Sequence, residues 1–264
     1  MTFLILYVLS GLVAGFLAGL VGIGGGLILV PILVVLFSLQ GFSEAVIMPL
    51  ALGTSLATII FTSVASMAAH HAKGAVDWGT VRGLSPGLII GALGAAAIAA
   101  WLSPAILQLI FAAYAGIAAT QLLCDVRPAA RRELPGRTGL MGAGMLIGAV
   151  SALAGVGGAV TTIPFLQWCN VSMRTAVGTA AAVGLPVAAS GTLGYIGHGW
   201  SAELLPSKCL GFVYLPALAA IVLASMLMAP VGTSVSHRLS VPVLKKMLAA
   251  VLYLVSLRSL ISLA

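Results

Sequence analysis

A glycine-rich apolar segment occurs twice in this chain, 133 residues apart. The first glycine segment reads Gly22-Ile-Gly-Gly-Gly-Leu-Ile-Leu-Val-Pro31, and the second reads Gly155-Val-Gly-Gly-Ala-Val-Thr-Thr-Ile-Pro164. Each segment ends one apolar helix and starts a short one. The first amides of a helix lack partners and carry partial positive charge, so these breaks predict a site for a small anion. The candidate residues are Gly22, Gly24, Gly25, Gly26, Gly155, Gly157 and Gly158.

Hydroxyl side chains near these segments are candidates for further hydrogen-bond donors. They are Thr54, Ser55, Thr161, Thr162 and Thr179. No acidic residue lies in either segment, which argues against a cation site. The alternative is that glycine serves close helix packing and that each hydroxyl bonds its own helix. One segment alone would favour packing, whereas two matched segments, each followed by a short helix, favour a binding site.

Four basic or titratable residues are candidates for proton coupling or for an anion entrance. His70, His71 and His198 lie at predicted helix ends, and Arg174 precedes a predicted helix. Imidazole titrates near neutral pH, which suits a coupled proton. The alternative is that all four are solvated interface residues. We predict no metal site and no cofactor, because Cys124, Cys169 and Cys209 lie far apart without ligand spacing.

The composition places these residues in a membrane. Hydrophobic residues make up 61% of the chain and charged residues only 6%. Five stretches without Asp, Glu, Lys or Arg exceed the roughly 20 residues that cross a bilayer as a helix. They are residues 1–43, 83–124, 138–173, 175–202 and 209–237. We therefore predict an all-α integral membrane protein, and we assign its net charge of +7 to cytoplasmic loops rather than to nucleic acid binding.

Gly, Pro and charge clusters divide the apolar sequence into ten predicted helical segments. They are 2–21, 26–38, 44–70, 80–101, 104–123, 138–154, 159–169, 173–197, 208–231 and 242–262. The polar linker 125–137 separates a first membrane repeat, 3–124, from a second, 138–262. Besides the glycine segments, Gly53-Thr-Ser matches Gly178-Thr-Ala, and Pro86 and Pro104 match Pro216 and Pro242. This order of matches predicts an internal duplication.

Loop charge predicts the orientation of the two repeats. Ten basic residues fall on one side if every segment crosses or if the short ones form re-entrant hairpins, while Lys208 and Arg258 fall on the other. The ten are Lys73, Arg82, Arg127, Arg131, Arg132, Arg137, Arg174, Arg238, Lys245 and Lys246. The positive-inside rule then places the 125–137 linker in the cytoplasm and both termini outside. Five crossings per repeat make the second repeat inverted.

At these residues the chain resembles the TauE/SafE family of sulfite and organosulfur-anion exporters. The resemblance lies in Gly19-Leu-Val-Gly-Ile-Gly-Gly-Gly with Pro31, in its second copy at Ala154-Gly-Val-Gly-Gly with Pro164, and in the two Gly-Thr groups. It covers nearly the whole chain, from about residue 3 to residue 262. Two departures are Ala159, which stands opposite Gly26, and Ala180, which stands opposite Ser55.

This resemblance implies a bacterial inner-membrane exporter of sulfite, a sulfonate or a related sulfur-containing anion, driven by the membrane potential or by protons. The glycine segments favour a secondary carrier that binds the anion at two opposed helix N-termini near the bilayer midplane and works by alternating access. An anion channel that uses the same helix ends as a filter is the alternative. An enzyme is not expected, and nothing in the sequence predicts an oligomeric state.

Overall fold

The computed structural model describes residues 2–21, 26–124, 133–236 and 241–261. Ten α-helices and one short antiparallel hairpin lie in this part of the chain. The elements are α1 (Thr2–Val21), α2 (Gly26–Leu39), α3 (Glu44–Ala72), α4 (Trp78–Trp101), α5 (Pro104–Cys124), α6 (Arg137–Leu153), α7 (Ala159–Trp168), α8 (Met173–Gly199), β1 (Cys209–Leu210), β2 (Val213–Tyr214), α9 (Leu215–Ser236) and α10 (Val241–Ile261).

The predicted all-α membrane architecture with ten helical segments is confirmed. Four helices, α3, α4, α5 and α8, are long and apolar enough to cross a membrane. Large apolar side chains cover the outside of the bundle, such as Leu146, Leu223 and Leu227, which are 71%, 67% and 76% exposed. Water does not favour so much exposed apolar surface, whereas lipid does. The protein is therefore a multi-pass membrane protein.

The start of the ninth helix was predicted wrongly. The structure places a hairpin of β1 and β2 before the helix, which begins at Leu215 rather than at residue 208. Lys208 and Gly211 have φ angles of +70° and +53°, and left-handed residues cannot continue a right-handed helix. Pro216 is consequently the second residue of α9, whereas Pro86 lies well inside α4, so these prolines do not occupy equivalent places.

Helices α3 and α8 form the centre of the bundle and run antiparallel. Nearly all side chains of α3 between residues 46 and 59 are buried. The contacts of α8 run in the opposite sequence order to those of α3, because Gly53, Leu56 and Ser63 approach Tyr195, Gly191 and Gly184 in turn. Helices α5 and α10 are also antiparallel. Gln108 and Ala112 bond Ser259 and Ser256, and Thr120 bonds Tyr253.

Two other helix pairs cross at close range, and each brings together helices of different halves. In the pair α1 and α9, Gly11 lies against Ile221 and Gly15 against Ser225. In the pair α6 and α4, Gly144 and Gly148 lie against Leu84 and Leu88 in the same way. Small residues allow such close backbone approach in membranes. Matched contacts of this kind are what a pseudo-two-fold relation between the halves requires.

Candidate functional site

The second glycine segment begins by closing α6 with a Schellman cap. Gly155 has a φ of +66°, and its amide bonds the carbonyl of Ala152. The amide of Val156 bonds the carbonyl of Ser151 at 2.9 Å. These two bonds satisfy helix-end carbonyls that would otherwise face the break. A cation that enters this region therefore meets fewer free carbonyl oxygens.

The start of α7, in contrast, leaves donors free. Gly158 has a φ of +78°, and its carbonyl accepts the amides of Thr161 and Thr162. Within the described part of the chain, the backbone amides of residues 157–160 have no hydrogen-bond acceptor. Residues 157–159 are buried. Since buried amides are nearly always paired, this end of the helix is suited to an acceptor that is not part of the protein.

Three hydroxyl groups surround this helix start, and we call Tyr114, Ser151 and Thr161 the hydroxyl cluster. The Thr161 hydroxyl donates to the carbonyl of Gly158 at 2.9 Å and lies 3.4 Å from the Ser151 hydroxyl. The Tyr114 hydroxyl, from α5, stands beside both but makes no hydrogen bond of normal geometry with them. Thr162, in the first turn of α7, is fully buried, and its hydroxyl has no partner.

The first glycine segment meets the second at Gly26. Gly22, Gly24 and Gly25 lie outside the described residues. A Cβ atom at Gly26 would lie 2.7 Å from the Ile59 side chain and 2.8 Å from the carbonyl oxygen of Gly155. The hydroxyl of Ser55 donates to that same carbonyl at 2.8 Å. The start of α2 and the second glycine segment are therefore in direct contact at the centre of the bundle.

Thr54 and Thr179 occupy two matched places at opposite ends of the α3–α8 pair. The Thr54 hydroxyl accepts the backbone amide of Tyr214, and the Thr179 hydroxyl accepts that of Asp77, both at 3.0 Å. Tyr214 and Asp77 each immediately precede a helix, α9 and α4 respectively. The preceding glycines, Gly53 and Gly178, lie against the carbonyls of Phe212 and Ala75. Each Gly–Thr pair thus binds a loop of the other half, and neither lies at the start of α7.

Comparison with known proteins agrees with this architecture. Residues 7–259 match the family "Sulfite exporter TauE/SafE". The chain belongs to the TauE/SafE family. A "Probable membrane transporter protein" of Haemophilus influenzae is 36% identical over 258 residues, which cover 97% of both chains. Another of that name, from Methanocaldococcus jannaschii, is 24% identical over 94% of this chain and 91% of its own. No solved structure matches the chain.

Family membership and these relatives identify the protein as a membrane transporter. The predicted resemblance to TauE/SafE exporters is confirmed. A third relative, the "Probable membrane transporter protein YdhB" of Bacillus subtilis, is 27% identical over 78% of this chain and 84% of its own. These names describe a transport protein and not a catalyst.

The basic candidates of this TauE/SafE transporter lie at helix ends, away from the start of α7. Arg174 donates to the carbonyl of Lys73 at 2.7 Å. Lys73 caps the C-terminal end of α3, where the helix dipole stabilises a positive charge. His71 accepts the indole N–H of Trp78 through Nδ1 at 3.1 Å. His198 contacts the carbonyl of Gly194 in its own helix, and His70 is half-buried at the end of α3. Their roles in coupling or entry stay predictions.

Two residues of the hydroxyl cluster were not predicted from the sequence. Ser151 lies four residues before Gly155, so its distance from the glycine segment could have identified it as a candidate. Its position one turn before the break places it beside the start of the next helix. Tyr114 lies on α5, forty residues earlier, and only the packing of α5 against α6 and α7 brings it there. No sequence spacing could have found that contact.

Proposed function

We propose that this transporter exports a small sulfur-containing anion, such as sulfite or a sulfonate, by alternating access. The observation that carries the proposal is the set of amides at residues 157–160, which have no acceptor among the described residues and of which residues 157–159 are buried. Donors of this kind, placed at the positive end of a helix, bind oxyanions. A cation would bind less well beside the start of α7, because the last carbonyls of α6 already accept hydrogen bonds from the Schellman cap.

The helix pairing supports two repeats, 3–124 and 138–262, joined by the linker 125–137. In α3 and α8, and again in α5 and α10, the equivalent helices lie antiparallel to one another. A two-fold axis in the membrane plane produces that relation, as in other secondary transporters with inverted repeats. The anion would then lie near the midplane, where the two glycine segments meet.

Export fits a bacterial inner membrane with the linker inside and both termini outside. A negative interior drives an anion outward by about 2.3 kcal/mol per charge per 100 mV. Uncoupled export is therefore physically sufficient, and His70, His71 and His198 are the candidates if protons are coupled. Arg174 and its neighbours would raise the local anion concentration at the cytoplasmic mouth.

The test is the flux of sulfite and of methanesulfonate from proteoliposomes under an inside-negative potential. Ala159→Pro removes one free amide at the first residue of α7, and Gly158, which precedes it with a ψ of −7°, supplies the backbone freedom that the proline needs. A lost hydrogen bond to an anion corresponds to a rate that is lower by about ten-fold or more. Met173→Pro is the matched control, because Met173 is the exposed first residue of α8.

We expect flux with the natural chain and with Met173→Pro, and much reduced flux with Ala159→Pro. Equal flux in protein-free vesicles would refute the transport of these anions. Unchanged flux in a folded Ala159→Pro variant would refute the role of the helix end. Currents in planar bilayers that far exceed carrier turnover would show the channel instead.

A further inference from the structure

The two glycine segments differ in the side chains that surround them. Around the second glycine segment, the polar residues are Ser151, Thr161 and Thr162 together with Tyr114 of α5. Aligning the glycine segments, and aligning Pro104 with Pro242, gives the counterpart of each residue in the other repeat. These counterparts are all apolar: Leu252, Ala18, Ile28 and Leu29. These four hydroxyl groups therefore have no hydroxyl-bearing counterparts in the other repeat.

Two of these hydroxyls are free to bind a ligand. Tyr114 is 7% exposed and Thr162 fully buried, and neither hydroxyl has a hydrogen-bond partner. The proton of Thr161 is already donated to Gly158, and the Tyr114 hydroxyl stands beside Thr161 and Ser151 without a hydrogen bond of normal geometry to either. Leaving buried hydroxyls unpaired costs free energy, and a ligand that accepts from them removes the cost.

Near Gly26 the environment is different. There the carbonyl oxygen of Gly155 lies only 2.8 Å from the place that a Cβ atom of Gly26 would take. A carbonyl oxygen carries partial negative charge and repels an anion. The hydroxyl of Ser55 is also used, since it donates to that carbonyl. The donor and the acceptor beside Gly26 are therefore already bonded to each other.

The segments that supply the donors at the start of α7 bring no charged side chain to balance an anion. The stretches that supply the donors, residues 104–124 and 138–173, contain no Lys, Arg, His, Asp or Glu. The helix dipole offers about half an elementary charge. The cost of removing an ion from water rises with the square of its charge, so dipoles alone favour a monoanion over a dianion.

We propose that the transported anion binds off the pseudo-two-fold axis, at the start of α7 alone, and that the site selects singly charged oxyanions. Its donors are the amides of residues 157–160 and the hydroxyls of Tyr114 and Thr162. This proposal rests on the proposed function, because it specifies where the transporter holds its substrate and which charge the substrate carries.

Isothermal titration of the full chain in lipid nanodiscs tests this site. The probes are methanesulfonate, a monoanion, and sulfate, a dianion. Tyr114→Phe and Thr162→Val each remove one free hydroxyl and keep the shape of the side chain. Tyr7→Phe is the matched control, because Tyr7 is also buried but its hydroxyl is bonded by Gln40 and its ring contacts Phe37 and Tyr214.

We expect Tyr114→Phe and Thr162→Val each to raise the dissociation constant of methanesulfonate by about ten-fold or more. Thermal stability without anion should not fall in these variants, whereas Tyr7→Phe should lower stability and leave affinity unchanged. Sulfate should bind at least about ten-fold more weakly than methanesulfonate.

Two results would overturn the proposal. Unchanged methanesulfonate affinity in both folded variants would refute the site at α7, and equal or tighter sulfate binding would refute the charge selection. In either case sulfite flux in proteoliposomes would leave the proposed function standing. If the natural chain neither binds nor transports any of these anions, the proposed function and this site fail together.

Discussion

The contacts of Thr54 and Thr179 predict how strongly the two halves hold each other. Thr54→Val keeps the side-chain volume but removes the acceptor of the Tyr214 amide, and Thr179→Val does the same for the Asp77 amide. Both threonines are fully buried, so water cannot replace the lost acceptor. An unpaired amide of this kind costs about 1–3 kcal/mol.

The two contacts are well separated along α3 and α8. Gly53 approaches Tyr195, and the sixteen residues from Tyr195 back to Thr179 span about 24 Å of helix. Effects at this distance add, so the double variant should lose about 2–6 kcal/mol. For a chain of this size, each kcal/mol lowers the melting temperature by about 2–4 °C. The assay is thermal unfolding of the purified protein, followed by tryptophan fluorescence.

Thr58→Val is the matched control. Thr58 lies one turn after Thr54 and is similarly buried, but its hydroxyl donates to the Thr54 carbonyl in its own helix. That bond adds little to a carbonyl that the helix already satisfies, so Thr58→Val should cost much less. If Thr54→Val and Thr58→Val lower the melting temperature equally, the proposed docking of loops across the halves is wrong.

Two further predictions concern helix packing and orientation. Gly87→Ala should destabilise the protein strongly, because the added methyl group would overlap the Met141 carbonyl and lie 2.7 Å from the Met145 amide. Gly94→Ala is the control and should be tolerated, because its methyl group would meet nothing within 4 Å. Equal melting temperatures of the two variants would contradict the α4–α6 contact. Cys124 is exposed next to the linker, so an impermeant maleimide should label it only after cells are permeabilised. The other two cysteines should react slowly, because Cys169 is buried and burial raises the pKa of Cys209 to about 11. Rapid labelling of Cys124 in intact cells would place the linker outside.

The helix boundaries were predictable because local chemistry decides them. Asp77 shows this: its carboxylate accepts the amides of Gly79 and Thr80, and α4 begins at Trp78, within two residues of the prediction. Gly41 and Gly74 end helices with φ angles of +73° and +63°. Glycine, proline and capping residues act over one or two turns, and a sequence displays them directly.

The partners of buried hydroxyls were not predictable in the same way. Thr54 and Thr179 were expected as candidate anion donors, and in the structure their oxygens accept amides from loops of the other half. Their anion role stays a prediction. Ser55 was expected for the same role, and it bonds the carbonyl of Gly155. A hydroxyl both donates and accepts, so its partner depends on tertiary contacts that residue spacing does not encode.

The two halves agree where backbones touch and differ where side chains surround the helix starts. Gly11 and Gly144, or Thr54 and Thr179, make equivalent contacts. A larger residue at the glycines would overlap a carbonyl, and loss of the hydroxyl would leave an amide unpaired. Thr162 and Leu29 are both buried at equivalent places, but one carries an unpaired hydroxyl group and the other an apolar side chain. Equivalent backbones can therefore hold the bundle together while the proposed site uses one helix start alone.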